Sequence, residues 1–449
     1  MGDARMSRED GTDLAALAAA HIEAMADRFA AALDRTGYDR AVIAAGELIY
    51  RFADDNSYPF HCNPQFLLWA PLLDAAGSFV QFTPGEQPRL VHYQPRDYWH
   101  VVPQPAAGAW TTHFDIRIIH EADEAPSHLD LGPSTAFLGD WHDRYTAWDV
   151  DNVNPVDLTR ILDYRRAAKT AYELHRMREA SRLGVLGHRA AERAYREGAS
   201  EYEIHHAYLE SVGIGEADLP YGNIIALESH GAVLHYTDLI RDRIDAPRSL
   251  LIDAGVRCDG YASDITRTYV WEDDDFAALV RSVDGLQQQL CTMVRPGADY
   301  RDIHQRAHEL IADVLVEHRI VTVSAEAAVV GDITSTFFPH GIGHLIGLQV
   351  HDVAGNAADD TGGIIQRPER HPFLRLTRLL EEDFVVTIEP GIYFIPMLLD
   401  DLRASDKAAA VDWQRIAEFL PYGGVRIEDD VCAAVDGPEN LTRDAYAAG

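Results

Sequence analysis

Four acidic residues in the second half of the chain stand beside apolar runs: Asp253, Asp264, Glu389 and Glu428. Such runs, bounded by turn residues like Pro390-Gly391, predict buried strands. An ionised carboxylate is too costly to bury without a partner. Either glutamate alone is more often an ion-pair partner than a metal ligand, but the four segments together indicate carboxylates that bind cations.

The dipeptide Asp259-Gly260 predicts a β-hairpin between the first two of these acidic residues. A turn centred between Cys258 and Asp259 would place Asp253 opposite Asp264, with their Cβ atoms roughly 5 Å apart. Two ionised carboxylates at that distance repel each other, so one must take a proton or a cation must lie between them. The alternative is a pair of solvated turn residues, which the apolar flanks disfavour.

Three histidines, His340, His344 and His351, lie close together in the sequence beside an apolar run and several glycines. Neutral imidazole is a metal ligand, and glycine allows the backbone to approach a bound group closely. The glycine spacing does not match a dinucleotide-binding fingerprint, and no Lys-Ser/Thr ending indicates a phosphate loop. A single histidine is usually structural, but three in this arrangement favour a metal or substrate site.

The elements that must position these residues divide into two domains. Residues 1–165 combine a helix from Leu14 to Leu33, ended by Gly37, with β-like runs at 40–45, 66–69, 79–82 and 90–93. A helical stretch over about 169–198 opens the second domain, residues 166–449, in which helices alternate with glycine-punctuated strands. The predicted fold class is α/β (α+β), with a smaller N-terminal α/β domain before the catalytic domain.

Composition restricts the partners and the compartment. The 449 residues carry a formal net charge of -33, which argues against nucleic acid or an anionic membrane as a partner because both attract Lys and Arg. The four cysteines form no C-x-x-C pair, so neither a zinc knuckle nor a disulfide framework is indicated. The polar start of the chain and the lack of a long apolar span predict a cytoplasmic protein.

Over nearly its whole length the sequence resembles the metallopeptidases with the pita-bread fold, above all the bacterial Xaa-Pro dipeptidases (prolidases) and organophosphorus acid anhydrolases. In the second domain the resemblance rests on the segments 252–255, 262–268, 340–344, 349–352, 387–391 and 426–428. In the first domain, which methionine aminopeptidase lacks, it rests on 52–55, 58–60, 63–66 and 97–100. Leu345 departs from the pattern, since the bacterial dipeptidases usually have proline there.

The resemblance implies a hydrolase of Xaa-Pro dipeptides in which two divalent cations hold a hydroxide that attacks the scissile carbonyl. All five ligand positions keep the expected residue type, which disfavours a creatinase-like protein: Asp253, Asp264, His344, Glu389 and Glu428. The family implies Mn²⁺, and a carboxylate-rich site with one imidazole also permits Co²⁺ or Zn²⁺.

The resemblance also implies catalytic and substrate-binding roles. Glu389 would shuttle a proton to the leaving proline nitrogen, and His351 would steady the developing oxyanion. Arg426, on the same strand face as Glu428, would pair with a substrate carboxylate, and Arg375 is a second candidate for that task. The substrate pocket would be lined by His340, which also acts in catalysis, and by His235 and Tyr221.

The family further implies a homodimer in which the first domain of one subunit closes the pocket of the other, through Asp54 or Asp55. A small peptide is the implied partner. Three alternatives stay open: hydrolysis of organophosphorus triesters or fluorophosphates at the same site, an aminopeptidase P-type exopeptidase, and a non-catalytic binding protein on the same fold. The last would be expected to have lost metal ligands, and none is lost.

Overall fold

The computed structural model describes residues 13–448, and the chain divides into two compact units. The first takes the described residues up to Arg165 together with Thr170–His175. The second takes Arg166–Lys169 and the described residues from Arg176 onward. In the described range, no helix has both the length and the apolar character that a membrane crossing requires.

One six-stranded sheet forms the first unit, with strands β1 (Arg40–Ala44), β2 (Phe79–Phe82), β3 (Arg89–Tyr93), β4 (Asp115–Ile119), β5 (Thr135–Leu138) and β6 (Asn152–Val153). The order is β4-β3-β2-β1-β5-β6, with β2 antiparallel to both neighbours and the other pairs parallel. The helices are α1 (Leu14–Thr36), α2 (Pro64–Leu67) and α3 (Val156–Arg166). The rings of Phe29, Trp69 and Phe82 pack together and join α1 to β2.

The predicted first helix is confirmed with both of its ends. It begins after Asp13, whose carboxylate accepts hydrogen bonds from the backbone N–H groups of Ala15 and Ala16. It ends at Gly37, which has the left-handed φ of 78° typical of a helix terminus. The runs predicted at 40–45, 79–82 and 90–93 are strands β1, β2 and β3 to within one residue.

The β-like run predicted at 66–69 is wrong, because this stretch begins as the short helix α2. Asn63 caps the helix by accepting a hydrogen bond from the Gln65 N–H, and Pro64 fixes a helical φ in the first turn. The apolar residues of this stretch are buried whether the backbone is helical or extended, so hydrophobicity alone did not separate the two.

In the second unit, the strands are β7 (Ile224–Leu227), β8 (Ser249–Asp253), β9 (Arg257–Cys258), β10 (Tyr261–Ala262), β11 (Thr266–Val270), β12 (Val385–Ile388), β13 (Gly391–Tyr393), β14 (Gly424–Arg426), β15 (Asp429–Cys432) and β16 (Glu439–Asn440). They form antiparallel sheets in the orders β11-β8-β7, β12-β15-β16, β13-β14 and β10-β9. Helix α4 (Ala171–Arg196) confirms the predicted long helix. The remaining helices are α5 (Glu201–Val212), α6 (Asp275–Cys291), α7 (Tyr300–Glu317), α8 (Ala325–Val330), α9 (Thr334–Phe337), α10 (Pro396–Ala404), α11 (Trp413–Phe419) and α12 (Leu441–Ala448).

The two largest apolar clusters among the described residues of the second unit pack its helices against its strands. The larger packs α6 and α7 against β12, with Leu279, Ile311 and Ile388 fully buried. The other packs α4 and α5 against β7 and β8 around Tyr195 and Tyr208. Because β8 and β12 lie inside these cores, the acidic residues at their ends are held in the interior.

The register of the predicted hairpin differs from the expectation. β8 pairs with β11 so that Asp253 lies opposite Thr266 rather than Asp264, and Cys258 lies opposite Tyr261. The reason is the turn, in which Asp259 (φ 50°) and Gly260 (φ 92°) are both left-handed and form the two-residue loop themselves. The turn is therefore centred one residue later than predicted, and Asp264 falls in the break between β10 and β11.

Replacing the turn glycine and a helix glycine by alanine should change the free energy of unfolding in opposite directions. Gly260→Ala should lower the free energy of unfolding by about 1–2 kcal/mol, because a side chain at this left-handed φ is strained. Gly285→Ala, at an exposed position inside α6, should raise it by about 0.5–1 kcal/mol, because alanine favours the helix. Urea unfolding followed by circular dichroism measures both. Equal shifts for the two variants would contradict the role of the turn.

Candidate active site

The predicted metal ligands all lie where strands end or break. Asp253 is the last residue of β8, Asp264 lies between β10 and β11, Glu389 between β12 and β13, and Glu428 between β14 and β15. The ligand atoms of Asp264, His344 and Glu428 lie within 4.8 Å of one another. The His344 Nε2 atom is 3.5 Å from Asp264 Oδ2 and 3.9 Å from Glu389 Oε1.

Thr266 and Arg426 connect the remaining carboxylates. The Thr266 hydroxyl donates to Glu428 Oε2 at 2.7 Å and accepts from Arg426 Nε at 3.2 Å. Arg426 Nη2 donates to Asp253 Oδ2 at 2.7 Å. The structure therefore brings all five predicted ligands into one interior cluster of four carboxylates, one imidazole and one guanidinium.

Burial, followed by the charges of neighbouring groups, perturbs the pKa of every acid in this cluster. Burial, followed by the charges of its acidic neighbours, raises the pKa of Glu428 well above its usual range. Burial raises the pKa of Glu389 to about 7, although His344 and Arg426 oppose the shift. Burial also raises the pKa of Asp253 despite the nearby Arg426. Without a further cation, burial therefore favours the protonated forms of Glu428, Glu389 and Asp253.

Asp264 and His344 form the exception. Burial alone would raise the pKa of Asp264, but its hydrogen bond and ion pair with His344 outweigh burial and lower that pKa. Burial alone would lower the pKa of His344, but Asp264 and then Glu389 outweigh it and raise that pKa. Asp264 and His344 therefore each favour the charged form of the other.

The donor set fits divalent metal ions. Asp253 Oδ1 is buried and has no hydrogen-bond partner among residues 13–448, although a buried carboxylate oxygen normally has one. Carboxylate oxygens with a single imidazole nitrogen suit Mn²⁺, Co²⁺ or Zn²⁺. Cations bound here would neutralise the carboxylates and satisfy this oxygen.

The backbone around His344 fixes which ring nitrogen is available. Because a carbonyl oxygen can only accept, the ring Nδ1–H donates to Leu345 O at 3.0 Å, so in the neutral ring the lone pair is on Nε2, which faces the carboxylates. The His344 N–H donates to Thr387 Oγ1 at 3.1 Å. Gly343 is required beside it: its φ is 150°, and a Cβ atom there would lie 2.2 Å from Thr387 O.

Asp264 is held by two groups whose contacts to it sequence reasoning missed. The Tyr221 hydroxyl donates to Asp264 Oδ1 at 2.6 Å, so this tyrosine is more than the pocket wall that was expected. The Asp264 N–H donates to Asp430 Oδ2 at 3.0 Å. Burial, then the charge of Asp264, raises the pKa of Asp430 well above its usual range. The available signal was the position of Asp430 in the buried segment directly after Glu428.

A second buried ion pair fixes the backbone of Glu428. Arg267 donates through Nη1 to the Glu428 carbonyl and through Nη2 to Asp429 Oδ1, each at 2.7 Å. Asp429 Oδ2 also accepts from Arg443 Nε at 2.7 Å. Burial alone would raise the pKa of Asp429, but the two arginines lower it to about 2. Asp429 is therefore an ionised anchor for the segment that carries Glu428.

The two candidate arginines differ in their environment. Arg426 is buried and commits its guanidinium to Asp253, Thr266 and the Tyr393 hydroxyl, the last at 2.9 Å, which differs from the open fork expected for a substrate carboxylate. Arg375 is exposed, and its side chain has no hydrogen bond or ion pair within the described range. Its charge adds to burial and His344 in lowering the pKa of His351 to about 4.

Two of the other predicted histidines, His340 and His351, are neutral at pH 7. His340 donates from Nδ1 to Gly341 O at 2.8 Å and accepts at Nε2 from the Tyr393 hydroxyl at 2.8 Å. Burial, then Arg426, lowers the pKa of His340 to about 3. The ring of His351 stands edge-on to that of His344, with centroids 4.5 Å apart. His235 is exposed, and its charge contributes to lowering the pKa of both His340 and His351.

The loop that carries these histidines is tied down at Asp352. Its carboxylate accepts from Arg166, including Nε at 3.1 Å, and from Lys169 Nζ at 3.0 Å, and all three side chains are buried. Burial alone would raise the pKa of Asp352, but Arg166 and Lys169 lower it to about 2. A Cβ atom on Gly347 would lie 2.6 Å from Asp352 Oδ2, so the loop closes tightly on this triad.

Two family descriptions match the chain in succession. "Xaa-Pro dipeptidase, N-terminal domain" matches residues 16–164, and "Metallopeptidase family M24" matches residues 175–434. A Xaa-Pro dipeptidase of Stenotrophomonas maltophilia K279a is 49% identical over 438 residues, which cover 97% of this chain and 98% of that protein. A Xaa-Pro dipeptidase of Xanthomonas axonopodis pv. citri is 50% identical over 440 residues, covering 97% and 99%.

Solved structures agree in fold. Aminopeptidase P from E. coli in a low-pH form has a TM-score of 0.70 at 22% identity, covering 93% of this chain and 94% of that one. Aminopeptidase PepP of Pseudomonas aeruginosa has a TM-score of 0.70 at 20% identity, covering 94% and 95%. The chain therefore belongs to metallopeptidase family M24 and, within it, to the bacterial Xaa-Pro dipeptidases. The predicted fold class and the family resemblance are confirmed.

The Asp352 triad yields a stability prediction. Asp352→Asn leaves two buried cations without their counter-charge and should lower the free energy of unfolding by about 3–5 kcal/mol at pH 7. Because the folded pKa is about 2 and an unfolded aspartate titrates near about 3.9, the ionised carboxylate stabilises the protein above about pH 4. That stability is lost as pH falls through the folded pKa.

Denaturant unfolding between pH 2 and 7 measures this effect, and Asp313→Asn, at an exposed position of α7, is the control. The control should change stability by no more than about 0.5 kcal/mol. The difference between Asp352→Asn and the wild type should shrink as pH falls from 4 to 2. A difference that is constant over this range would contradict the ion-pair account.

Proposed function

We propose that this chain hydrolyses Xaa-Pro dipeptides with the help of two divalent cations. The observation that carries the proposal is the gathering of four interior carboxylates and one imidazole from separate strand ends, with one carboxylate oxygen left unpartnered in the described range. The similarity to curated Xaa-Pro dipeptidases at about half identity over nearly the whole chain supports the substrate class.

The residues that would hold the two ions are Asp253, Asp264, His344, Glu389 and Glu428, and Mn²⁺ is the ion we propose, with Co²⁺ or Zn²⁺ able to replace it. When bound, such a pair supplies a water of lowered pKa and polarises the carbonyl of the substrate. Tyr221 orients Asp264, and Arg426 orients Asp253, through the hydrogen bonds described above.

Proton transfer falls to Glu389 in this proposal. Its carboxylate lies 3.9 Å from His344 Nε2 and 3.6 Å from His340 Nδ1, a place that suits a group which takes a proton and returns it to the proline nitrogen. A neutral His351 can donate a hydrogen bond to the oxyanion that develops on the substrate. His340, held by Gly341 and Tyr393, lines the pocket with His235.

We assign the substrate carboxylate to Arg375. Its guanidinium is exposed and lies near His351, whereas Arg426 is buried on protein partners. In an Xaa-Pro dipeptide the free carboxylate belongs to the proline directly after the scissile bond. An arginine that recognises this carboxylate limits the enzyme to dipeptides. Tripeptides with proline second, the substrates of an aminopeptidase P-type exopeptidase, would then be cleaved poorly.

Three finer properties belong to the same proposal. We infer that each subunit has an N-terminal domain of residues 1–165 and a catalytic domain of residues 166–449. We infer that two subunits form a homodimer, because Phe52, Tyr98 and Trp99 are strongly exposed in the first unit. Light scattering would detect a monomer.

We infer a cytoplasmic site of action, since the four cysteines are free thiols. Cell fractionation tests this inference. We also infer a side activity on organophosphorus triesters and fluorophosphates, which rates measured beside Leu-Pro would test.

The metal site is tested by Asp264→Asn. The change removes one carboxylate ligand and should abolish hydrolysis of Leu-Pro while the circular dichroism spectrum stays unchanged. EDTA should inactivate the wild-type enzyme, and Mn²⁺ should restore it. Asp313→Asn is the matched control and should keep full activity. An Asp264→Asn protein with wild-type turnover, or an enzyme indifferent to chelation, would contradict the proposal.

The substrate-carboxylate assignment is tested by Arg375→Ala. Loss of a charged hydrogen bond should raise KM for Leu-Pro by about 10- to 100-fold with little change in kcat. KM for the amide Leu-Pro-NH2, which lacks the carboxylate, should be the same in both proteins. Arg370→Ala, an exposed arginine of the same loop, is the control. Equal KM values for Arg375→Ala and the control would overturn the assignment.

A further inference from the structure

A second group of potential ligands lies outside the carboxylate cluster. His304 and His308 stand one turn apart on the same face of α7, and His371 lies in the loop before β12. One ring nitrogen from each of the three lies within 4.8 Å of the others. The rings of His304 and His371 have centroids 4.4 Å apart, and those of His308 and His371 have centroids 4.6 Å apart.

The ring nitrogens of this group are unsatisfied. His304 is 1% exposed, and neither of its nitrogens has a hydrogen-bond partner in the described part of the chain. His308 is 2% exposed; its Nδ1 is 2.9 Å from Thr334 Oγ1, while its Nε2 has no partner in the same range. A buried polar group normally has a partner, and each one left without costs about 1–3 kcal/mol. Three such nitrogens in one place therefore point to a missing ligand.

The imidazoles have the protonation state that a metal requires. Burial, then the neighbouring histidines, lowers the pKa of His304 to about 2, and burial with His371 lowers that of His308 to about 4. Burial also lowers the pKa of His371. All three rings are neutral at pH 7 and keep a lone pair. The carboxylate of Asp332 lies near His308 and His371 and favours a positive charge there.

We propose that His304, His308 and His371 bind one zinc ion, separate from the ions of the carboxylate cluster. Three imidazole nitrogens form a common zinc site, with Zn–N distances of about 2.0–2.1 Å. The site discriminates between metals, because imidazole suits Zn²⁺ whereas Mn²⁺ favours oxygen ligands. Phe338, whose ring is 5.2 Å from that of His308, covers the group with an apolar side chain.

The ion would join the loop of His371 to helix α7. This loop also packs on the candidate active site, because a Cβ atom on Gly341 would lie 3.1 Å from Leu374 Cα and 3.2 Å from Phe373 O. Arg375 follows directly. Zinc at the three histidines would therefore hold in place the segment that carries the proposed substrate-carboxylate residue. The zinc binding itself does not depend on the proposed function, whereas this consequence does.

Metal content of matched variants tests the site. His371→Ala removes a ligand from a loop, and His206→Ala removes an exposed histidine of α5 as the control. Both proteins are dialysed against the same buffered Zn²⁺ and analysed by mass spectrometry of metals. We expect about one zinc per chain fewer in His371→Ala than in His206→Ala, and a melting temperature that Zn²⁺ raises less. Equal zinc content in the two variants would overturn the inference.

The unmodified protein gives a second readout that needs no substitution. X-ray absorption at the zinc edge, recorded on Mn²⁺-loaded protein after one equivalent of Zn²⁺, should show a shell of three imidazoles. A spectrum with one imidazole and several oxygens would place the zinc in the carboxylate cluster and overturn the inference. Failure of the proposed function has a different signature, because Asp264→Asn would then keep its activity while the three-histidine zinc is present or absent independently.

Discussion

The structure depends on neutralising an excess of interior negative charge. Four carboxylates share a small volume with one imidazole and one guanidinium, and burial pushes the pKa of three of the carboxylates upward. Keeping all four carboxylates ionised in the interior costs free energy unless cations neutralise them. If every carboxylate is protonated instead, the group cannot bind a metal. Divalent ions bound as proposed would remove this conflict, and the surrounding hydrogen bonds hold the carboxylates in place.

The fold brings the four carboxylates together at places where strands end or are interrupted. Each of the four carboxylates lies at a strand end or break. Three of them are held by another protein group: Asp253 by Arg426, Asp264 by Tyr221, and Glu428 by Arg267 through its backbone. The Asp352 triad anchors the histidine loop in the same way. These supporting groups orient the carboxylates through hydrogen bonds made within the protein itself.

The sequence was sufficient to predict which carboxylates come together in the interior, because burying charge is so costly. Apolar runs ending in Asp253, Glu389 and Glu428 indicated these positions without any knowledge of strand pairing. The hairpin register was predicted wrongly, because it depends on which two residues take left-handed φ values, and Asp259-Gly260 allowed more than one centring. The strand prediction for 66–69 was wrong because a four-residue apolar run is too short to show a periodicity. The helix begins there because Asn63 caps it and Pro64 occupies its first turn.

Partners that come together only in three dimensions could not be predicted from spacing. Nothing near Arg426 in the sequence indicates that Asp253 and Tyr393 occupy its guanidinium, and nothing near Asp264 indicates that Tyr221 and Asp430 hold it. His304, His308 and His371 likewise converge from a helix and a distant loop. Motifs locate the reacting atoms, whereas the groups that orient them follow from the packing.

The central claim is that cations replace protons on the buried carboxylates, and proton release on metal binding tests it most directly. The heat of Mn²⁺ binding to the metal-free protein at pH 7 can be measured by calorimetry in buffers of different ionisation enthalpy. The account predicts a heat that varies linearly with that enthalpy and corresponds to the release of about one proton or more per chain, since the pKa of Glu428 is raised well above its usual range and that of Glu389 to about 7. A binding heat that is the same in every buffer would contradict it.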